Sequence, residues 1–212
     1  MERDDSMTVA DSRICPQPPV VDLYIAPIPD GDLGQVFPPA RQTQIDGTTN
    51  EAMRRQRYYV WKLLEYGLLQ SLGLSLEQLT LQLSQNGKWS CDECYFSLSH
   101  CRGAVAVAVS TEPVGVDIEL TERIPSEGLA KKILSPEERA EYDAAAPDSQ
   151  PMFLLEKWCQ KESIFKVTGA GLFTPATTHP GLQVCSGTAG AVCYAVATEH
   201  PEALRVYQNI RL

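Results

Sequence analysis

Two carboxylates separated by one residue, Asp117 and Glu119 in the stretch VGVDIEL (114–120), are the first residues whose spacing points to chemistry. On an extended strand, side chains two apart share a face, so both acids point one way while Val116, Ile118 and Leu120 point the other. Adjacent carboxylates repel unless a cation lies between them, and hard oxygen donors suit Mg²⁺. Taken alone, a D-x-E pair is also what a solvated strand face looks like. Glu162 adds a third acid. It falls inside an apolar stripe of Leu155, Trp158 and Phe165 at helical spacing, with Lys166 one turn further on. A carboxylate aimed at a core is costly unless it is paired or metal-bound. The plainer alternative is an i,i+4 ion pair between Glu162 and Lys166, worth about 0.3–0.5 kcal/mol on a surface.

The elements that must position these residues can be read along the chain. Residues 1–19 read as a flexible, polar tail, and Val20 to Ile25 as a first strand stopped by Pro27 and Pro29. Residues 30–50 carry Gly, Pro, Gln and Thr without a period and read as a loop. From Glu51 to Leu72 a helix is expected, with Tyr58, Trp61, Leu68 and Leu72 on one stripe and Gly73 ending it. A strand over 79–83, an Asn86-Gly87 turn, and strands at Tyr95–Leu98 and Ala104–Ser110 come next. Ser126–Leu134 reads as a helix, and Ser135-Pro136-Glu137-Glu138 has the cap and first-turn chemistry of another. A long helix from Pro151 to Thr168 should stop at Gly169 and Gly171. Strands are expected at Leu182–Cys185 and Ala191–Ala197, with a last segment near Leu204–Ile210.

Two internal echoes occur in the same order. Ala108–Pro113 resembles Ala195–Pro201, and Trp61 with Glu65 resembles Trp158 with Glu162. They predict an α+β fold of two pseudo-symmetric halves, each a long helix packed on a small, mainly antiparallel sheet. The expected division is a tail over 1–19, an N-terminal half over 20–112 and a C-terminal half over 113–212. A ligand that needs groups from both halves would lie in the cleft between them.

Composition bounds the partners. Eighteen basic against 27 acidic residues give a net charge of −9, which disfavours nucleic acid as a partner. An anionic ligand would need a local cluster of positive charge. No apolar run reaches the roughly 18 residues that cross a bilayer, and the acid-containing start lacks a signal-peptide pattern. The expectation is a cytoplasmic protein, free of membrane, with its seven cysteines reduced.

Three segments together resemble the Sfp-type 4′-phosphopantetheinyl transferases: VGVDIEL (114–120), KWCQKESIFKVTGAGL (157–172) and FSLSHCRGAVAVAVS (96–110). The resemblance implies transfer of the 4′-phosphopantetheine arm of coenzyme A to a serine of an apo acyl, polyketide or peptidyl carrier protein, with adenosine 3′,5′-bisphosphate released. It implies Mg²⁺ at Asp117, Glu119 and Glu162. It further implies that Glu162, or a water it orients, takes the serine proton, with Lys166 on the phosphates and His100 beside it. Coenzyme A contacts are implied for Ser99, His100, Lys161 and Lys166. Asn86-Gly87-Lys88 resembles a GKP-like segment at the nucleotide end, with Trp89 in place of the proline. Arg54, Arg55 and Arg57 stand where the family has basic residues for the 3′-phosphate. Gly128–Leu134 matches a carrier-binding region, with possible contacts at Leu129, Lys131, Lys132 and Ile133. Because both halves lie on one chain, a monomer could hold a complete site.

Three other functions compete with this reading. Cys91, Cys94, His100 and Cys101 include a C-x-x-C with zinc-like spacing, although His100 and Cys101 are adjacent where zinc modules separate the second pair. A non-catalytic coenzyme A-binding module would keep the scaffold without the chemistry, yet all three acids and Lys166 are present. A different Mg²⁺-dependent nucleotide enzyme would supply several acids from one helix, which this sequence does not.

Overall fold

The computed structural model describes residues 18–85, 87–169 and 180–212. Among the described residues, nine strands and five α-helices follow in chain order: β1 (Val21–Pro27), α1 (Pro39–Asp46), α2 (Glu51–Leu72), β2 (Gln82–Leu83), β3 (Trp89–Ser90), β4 (Tyr95–Cys101), β5 (Ala104–Ser110), β6 (Val114–Leu120), α3 (Glu127–Ile133), α4 (Pro136–Ala144), α5 (Gln150–Thr168), β7 (Gln183–Ala189), β8 (Val192–Thr198) and β9 (Leu204–Tyr207). The fold is α+β, with mainly antiparallel sheets and two halves built on one plan.

The plan is strand, long helix, hairpin. In the first half β1 leads through α2 to the hairpin β4–β5, and β5 returns to pair antiparallel with β1. In the second, β6 leads through α5 to the hairpin β7–β8, and β8 returns to pair with β6. The registers correspond: Val21 opposes Ser110 as Val114 opposes Thr198. The sequence echo sets Thr111 against Thr198, one residue away from the structural correspondence. β9 leaves the second half and adds to β1 in parallel, so the first sheet runs β4-β5-β1-β9 and the second β6-β8-β7.

Strand β5 shows how the layers are built. Its valines (105, 107 and 109) pack with Tyr24 and with Val60, Leu63 and Leu64 of α2. Its alanines (104, 106 and 108) face the second sheet, against Val114, Val116, Ile118 and Val196. Both faces are covered, so all seven residues are buried, and the small side chains lie where two sheets must approach. Burying a Val-sized side chain contributes about 1.5–3 kcal/mol, so this strand alone anchors much of the core.

The edge of β6 that does not pair with β8 is satisfied by side chains. Val116 N donates to Ser97 Oγ (3.1 Å) and Ile118 N to Ser99 Oγ (3.2 Å), which ties β6 to β4. These bonds answer two donors that would otherwise be buried without partners.

The expected helix over Glu51–Leu72 has the bounds predicted, capped by Asn50 on Met53 N (2.9 Å) and closed by Gly73 at φ 66°. The expected loop over 30–50 instead contains α1. Pro39 starts it, and only Arg41 and Ile45 face inward, so the segment lacks the periodic apolar pattern that reveals a helix. The strand expected over 79–83 is only Gln82–Leu83. Gly169 ends α5 at φ 65°. Asn86, Gly171 and the tail up to residue 17 lie outside the described residues, whereas Gly87 has the positive φ of a turn, 79°.

Candidate active site

In the second half, register decides which strand residues meet the long helix. Gly115, Asp117 and Glu119 oppose Ala197, Ala195 and Cys193, and that face looks onto α5, where Cys159 packs on Cys193 and Ala195. The helix comes so close that a Cβ on Gly115 would stand 2.0 Å from the carbonyl oxygen of Ser163. Glycine is therefore required two residues before Asp117, and it brings positions 162–166 of α5 up to the carboxylates.

Asp117 is 7% exposed and forms the centre of the cluster. Its Oδ1 accepts from Ser99 Oγ (2.8 Å) and from Lys166 Nζ (2.8 Å), and Lys166 Nζ also donates to Val116 O (2.8 Å). Glu162 is half-buried on the same side of α5. Burial first, and then the charge of Asp117, raises its pKa above the usual glutamate range, with Lys166 opposing. Glu119 is also raised, by burial against the pull of Arg123, with Asp117 adding to the rise; Arg123 Nη1 is ion-paired to Glu119 Oε1. The pseudo-equivalent of Asp117 in the first half is Tyr24, an aromatic core residue seated over Gly67 of α2. Glu65, which echoes Glu162 in sequence, pairs with Lys62 instead. One half carries carboxylates where the other carries core.

Burial raises both Glu119 and Glu162, with the Asp117 charge adding to each rise, and a cation among the three carboxylates would relieve that cost. Among the described residues, no three ligating groups gather closely enough to cage an ion by themselves. Mg²⁺ is usually bound through one or two carboxylates together with waters and substrate phosphates, so an open carboxylate set around Asp117 fits it.

On the other side of Lys166 lies a cleft of about 940 Å³ between the halves. Its walls carry Arg41, Arg57, Lys88, Lys166 and His100 and no carboxylate among the described lining residues, in a chain of net charge −9. Lys88 Nζ donates to Lys166 O (2.6 Å), and burial and then the Lys166 charge lower its pKa. His100 is pushed down by desolvation in the cleft, then by Lys166 and Arg41, so its imidazole is biased toward the neutral form. Arg41 is 7% exposed, donates to Arg57 O (2.6 Å) and lies over the Trp61 ring at 4.8 Å. Its Nε is buried without a partner, and burial together with Arg57 lowers its pKa to about 10. Five positive or protonatable groups around one cavity mark an anion site.

The sequence-derived residues divide accordingly. Asp117, Glu119, Glu162 and Lys166 share one face, and Lys88, His100, Arg57 and Lys166 line the cleft. Ser99 turns to Asp117, away from the cleft. Lys161 is tied to Glu138 of α4 (2.9 Å) and Arg54 to Glu51 (3.0 Å), and neither lines the cleft. Arg55 donates to Gly31 O (2.7 Å). On α3, Leu129 is half-buried and Lys131 and Lys132 are exposed, but Ile133 is 4% exposed in a cluster with Leu154 and is not available to a partner. Phe165, read as part of the buried stripe of α5, lines the cleft and is 38% exposed, because Leu155, Cys159 and Ser163 form the buried face instead. The zinc set does not assemble: Cys101 packs in the core between the sheets, while His100, its neighbour on β4, points into the cleft. Arg41 was missed, since nothing in a stretch read as loop marked it out.

Residues 113–206 match the profile of the 4′-phosphopantetheinyl transferase superfamily. The chain is 35% identical over 83 residues to the 4′-phosphopantetheinyl transferase Sfp of Bacillus subtilis, covering 39% of this chain and 37% of that protein. It is 31% identical over 114 residues to the transferase gsp of Aneurinibacillus migulanus, covering 53% and 48%. It is 33% identical over 116 residues to AcpT of Escherichia coli, covering 52% and 60%. The matched stretch thus spans less than two thirds of each of these relatives. Residues 113–206, the segment that carries Asp117, Glu119, Glu162 and Lys166, are thus similar to the 4′-phosphopantetheinyl transferase superfamily.

Proposed function

We propose that the chain transfers the 4′-phosphopantetheine arm of coenzyme A to the serine of an apo carrier protein and releases adenosine 3′,5′-bisphosphate. The observation that carries this reading is the position of Lys166. It lines the cationic cleft and bonds the buried Asp117, so an anion in the cleft lies beside the carboxylate cluster.

Coenzyme A brings a pyrophosphate and a 3′-phosphate, and the cleft supplies the counter-charge. Lys88 and Lys166 would meet the pyrophosphate, and Arg41 and Arg57, which line the same cleft from α1 and α2, would meet the 3′-phosphate. Asp117, Glu119 and Glu162 would hold Mg²⁺, which when bound supplies charge neutralisation to the pyrophosphate oxygens. Glu162, or a water it orients, would accept the proton of the carrier serine. The serine oxygen forms a bond to the β-phosphorus, the bond from that phosphorus to the bridging oxygen breaks, and the bisphosphate leaves with the electron pair. Ser99 and Lys166 hold Asp117 in place throughout.

The carrier is read as docking near α3, where Lys131 and Lys132 are exposed and Ile124, just beyond Glu119, is 83% exposed. An acidic carrier helix would complement the lysines. The chain is read as a cytoplasmic monomer; no helix among the described residues is long and apolar enough to cross a membrane.

Incubation of the chain with coenzyme A, Mg²⁺ and a panel of apo carriers tests this directly. Carrier mass should rise by one phosphopantetheine group, and Asp117→Ala should abolish the gain while keeping the fold. Absence of any labelled carrier, or full labelling by the variant, overturns the assignment. Charge reversal at Lys131 and Lys132 should raise KM for the carrier; an unchanged KM removes the docking site.

A further inference from the structure

The turn between β3 and β4 places two thiols together that the proposed transfer does not use. Cys91 Sγ lies 3.5 Å from Cys94 Sγ and 3.3 Å from Cys94 O, with only Asp92 and Glu93 between them in sequence. Cys91 is partly exposed, whereas Cys94 is buried in the core beneath α2. We propose that Cys91 and Cys94 are a reversible dithiol–disulfide pair, with Cys91 as the attacking sulfur and Cys94 as the resolving one.

Geometry makes the bond accessible. A disulfide needs sulfurs at about 2.0 Å, so the pair must close by about 1.5 Å, within the reach of side-chain rotation in a turn. The neighbouring acids are already committed. Glu93 accepts from Thr80 N (2.9 Å) and Thr80 Oγ1 (2.6 Å), and Asp92 accepts from Gln82 Nε2 (3.0 Å). These contacts hold the turn in the conformation that presents both sulfurs. Reactivity is divided in the sense the proposal needs. The Cys94 thiol lowers the Cys91 pKa to about 7, against burial and the Glu93 charge, while Cys94 itself is raised. A ring this short removes little entropy from the unfolded chain, which marks the bond as a reducible one and not a staple.

The step balances with a low-molecular-weight disulfide such as oxidised glutathione. The Cys91 thiolate attacks one glutathione sulfur, and one glutathione thiolate leaves. Cys94 then loses its proton to solvent, and its sulfur attacks Cys91, expelling the second glutathione. The protein dithiol is oxidised and the glutathione disulfide is reduced to two thiols. The site also touches the cleft wall: β3 carries Trp89, which lines the cleft and donates to Gln44 Oε1 (3.1 Å).

Full-chain protein treated with excess oxidised glutathione, acid-quenched and alkylated, provides the test. The expected mass is that of the reduced protein less two hydrogens. The expected unreduced peptide map joins Cys91 to Cys94, and dithiothreitol reverses both. Cys94→Ser should accumulate a glutathione adduct at Cys91, and Cys91→Ser should lose the reaction. Should Cys94→Ser fail to fold, the wild-type peptide map decides alone. Both thiols remaining alkylable, a stable glutathione adduct on wild-type protein, a bridge elsewhere, or stoichiometric zinc held by the pair would each overturn the proposal. None of these readouts depends on transfer activity.

Discussion

Lys166 Nζ sits 2.8 Å from Asp117 Oδ1, and the pair joins the end of α5 to the middle of β6. Lys166 is 23% and Asp117 10% exposed at the side chain, so removal of one partner leaves the other charge poorly solvated. Lys166→Met should destabilise the protein by several kcal/mol at most, and Asp117→Asn should recover part of that loss in the double variant. A double-mutant cycle by urea unfolding should return a coupling of about 1–3 kcal/mol. Additive single effects would mean that the bond contributes nothing.

Gly115 controls how close α5 comes to the carboxylates. Its missing Cβ leaves room for Ser163 O, which would otherwise be met at 2.0 Å, and for Val167 Cγ2 at 2.8 Å. Backbone cannot step aside as a side-chain tip can. Gly115→Ala should therefore cost about 1–3 kcal/mol, the usual range for overpacking. A domain of this size loses about 2–4 °C of Tm per kcal/mol, so calorimetry resolves the effect easily. Carrier labelling should fall further than the Tm predicts, since displacing the helix moves Glu162 from Asp117. Unchanged Tm would show that the close approach is not constrained.

The parts of this architecture that sequence reveals are those with a period or a paired signal. The α2 stripe and the alternation that puts Asp117 and Glu119 on one face both rest on regular spacing. Arg41 escaped because α1 has only two inward residues, and two do not make a period. The buried face of α5 departs from its apolar stripe for a related reason. Small residues, Cys159 and Ser163, mark the contact with β6, and the bulkier Phe165 is left to line the cleft. Lys161 and Arg54 carry the right charge in the right neighbourhood, but Glu138 and Glu51 claim them through contacts that only the fold creates. The pairing of β9 with β1 brings together residues some 180 positions apart, as in the Arg205–Asp22 ion pair at 2.6 Å, and no local pattern encodes it.

Glu162 gives the apo protein a pH signature. Burial and Asp117 raise its pKa in the folded state, so folding favours the protonated acid. Its contribution to stability is then fully present below the unfolded value of about 4.3 and is lost as pH rises through the folded value. Glu162→Gln keeps the shape and removes the titration. With a chelator present, the Tm of Glu162→Gln minus that of wild type should grow from acid toward neutral pH and then level off. Glu119, which is raised in the same direction, cancels in the difference. A difference that stays flat across that window would show that Glu162 is solvated like any surface glutamate.

Arg41 offers the sharpest separation of binding from chemistry. Its guanidinium is buried, its Nε has no partner, and it stands on the cleft wall beside Arg57, far along the chain from the carboxylates of β6. Burial, and then the nearby Arg57 charge, lowers the Arg41 pKa, and an anion beside the two arginines would relieve that cost. A hydrogen bond from a charged donor contributes about 1.5–3 kcal/mol, so Arg41→Met should raise KM for coenzyme A by about tenfold to a hundredfold. Because the contact is the same before and during transfer, kcat should change little. Substrate lacking the 3′-phosphate should be handled almost equally by wild type and variant. If the variant lost kcat with KM intact, or discriminated the two substrates as strongly as wild type, Arg41 would be a packing residue over Trp61 and the 3′-phosphate would have to lie elsewhere in the cleft.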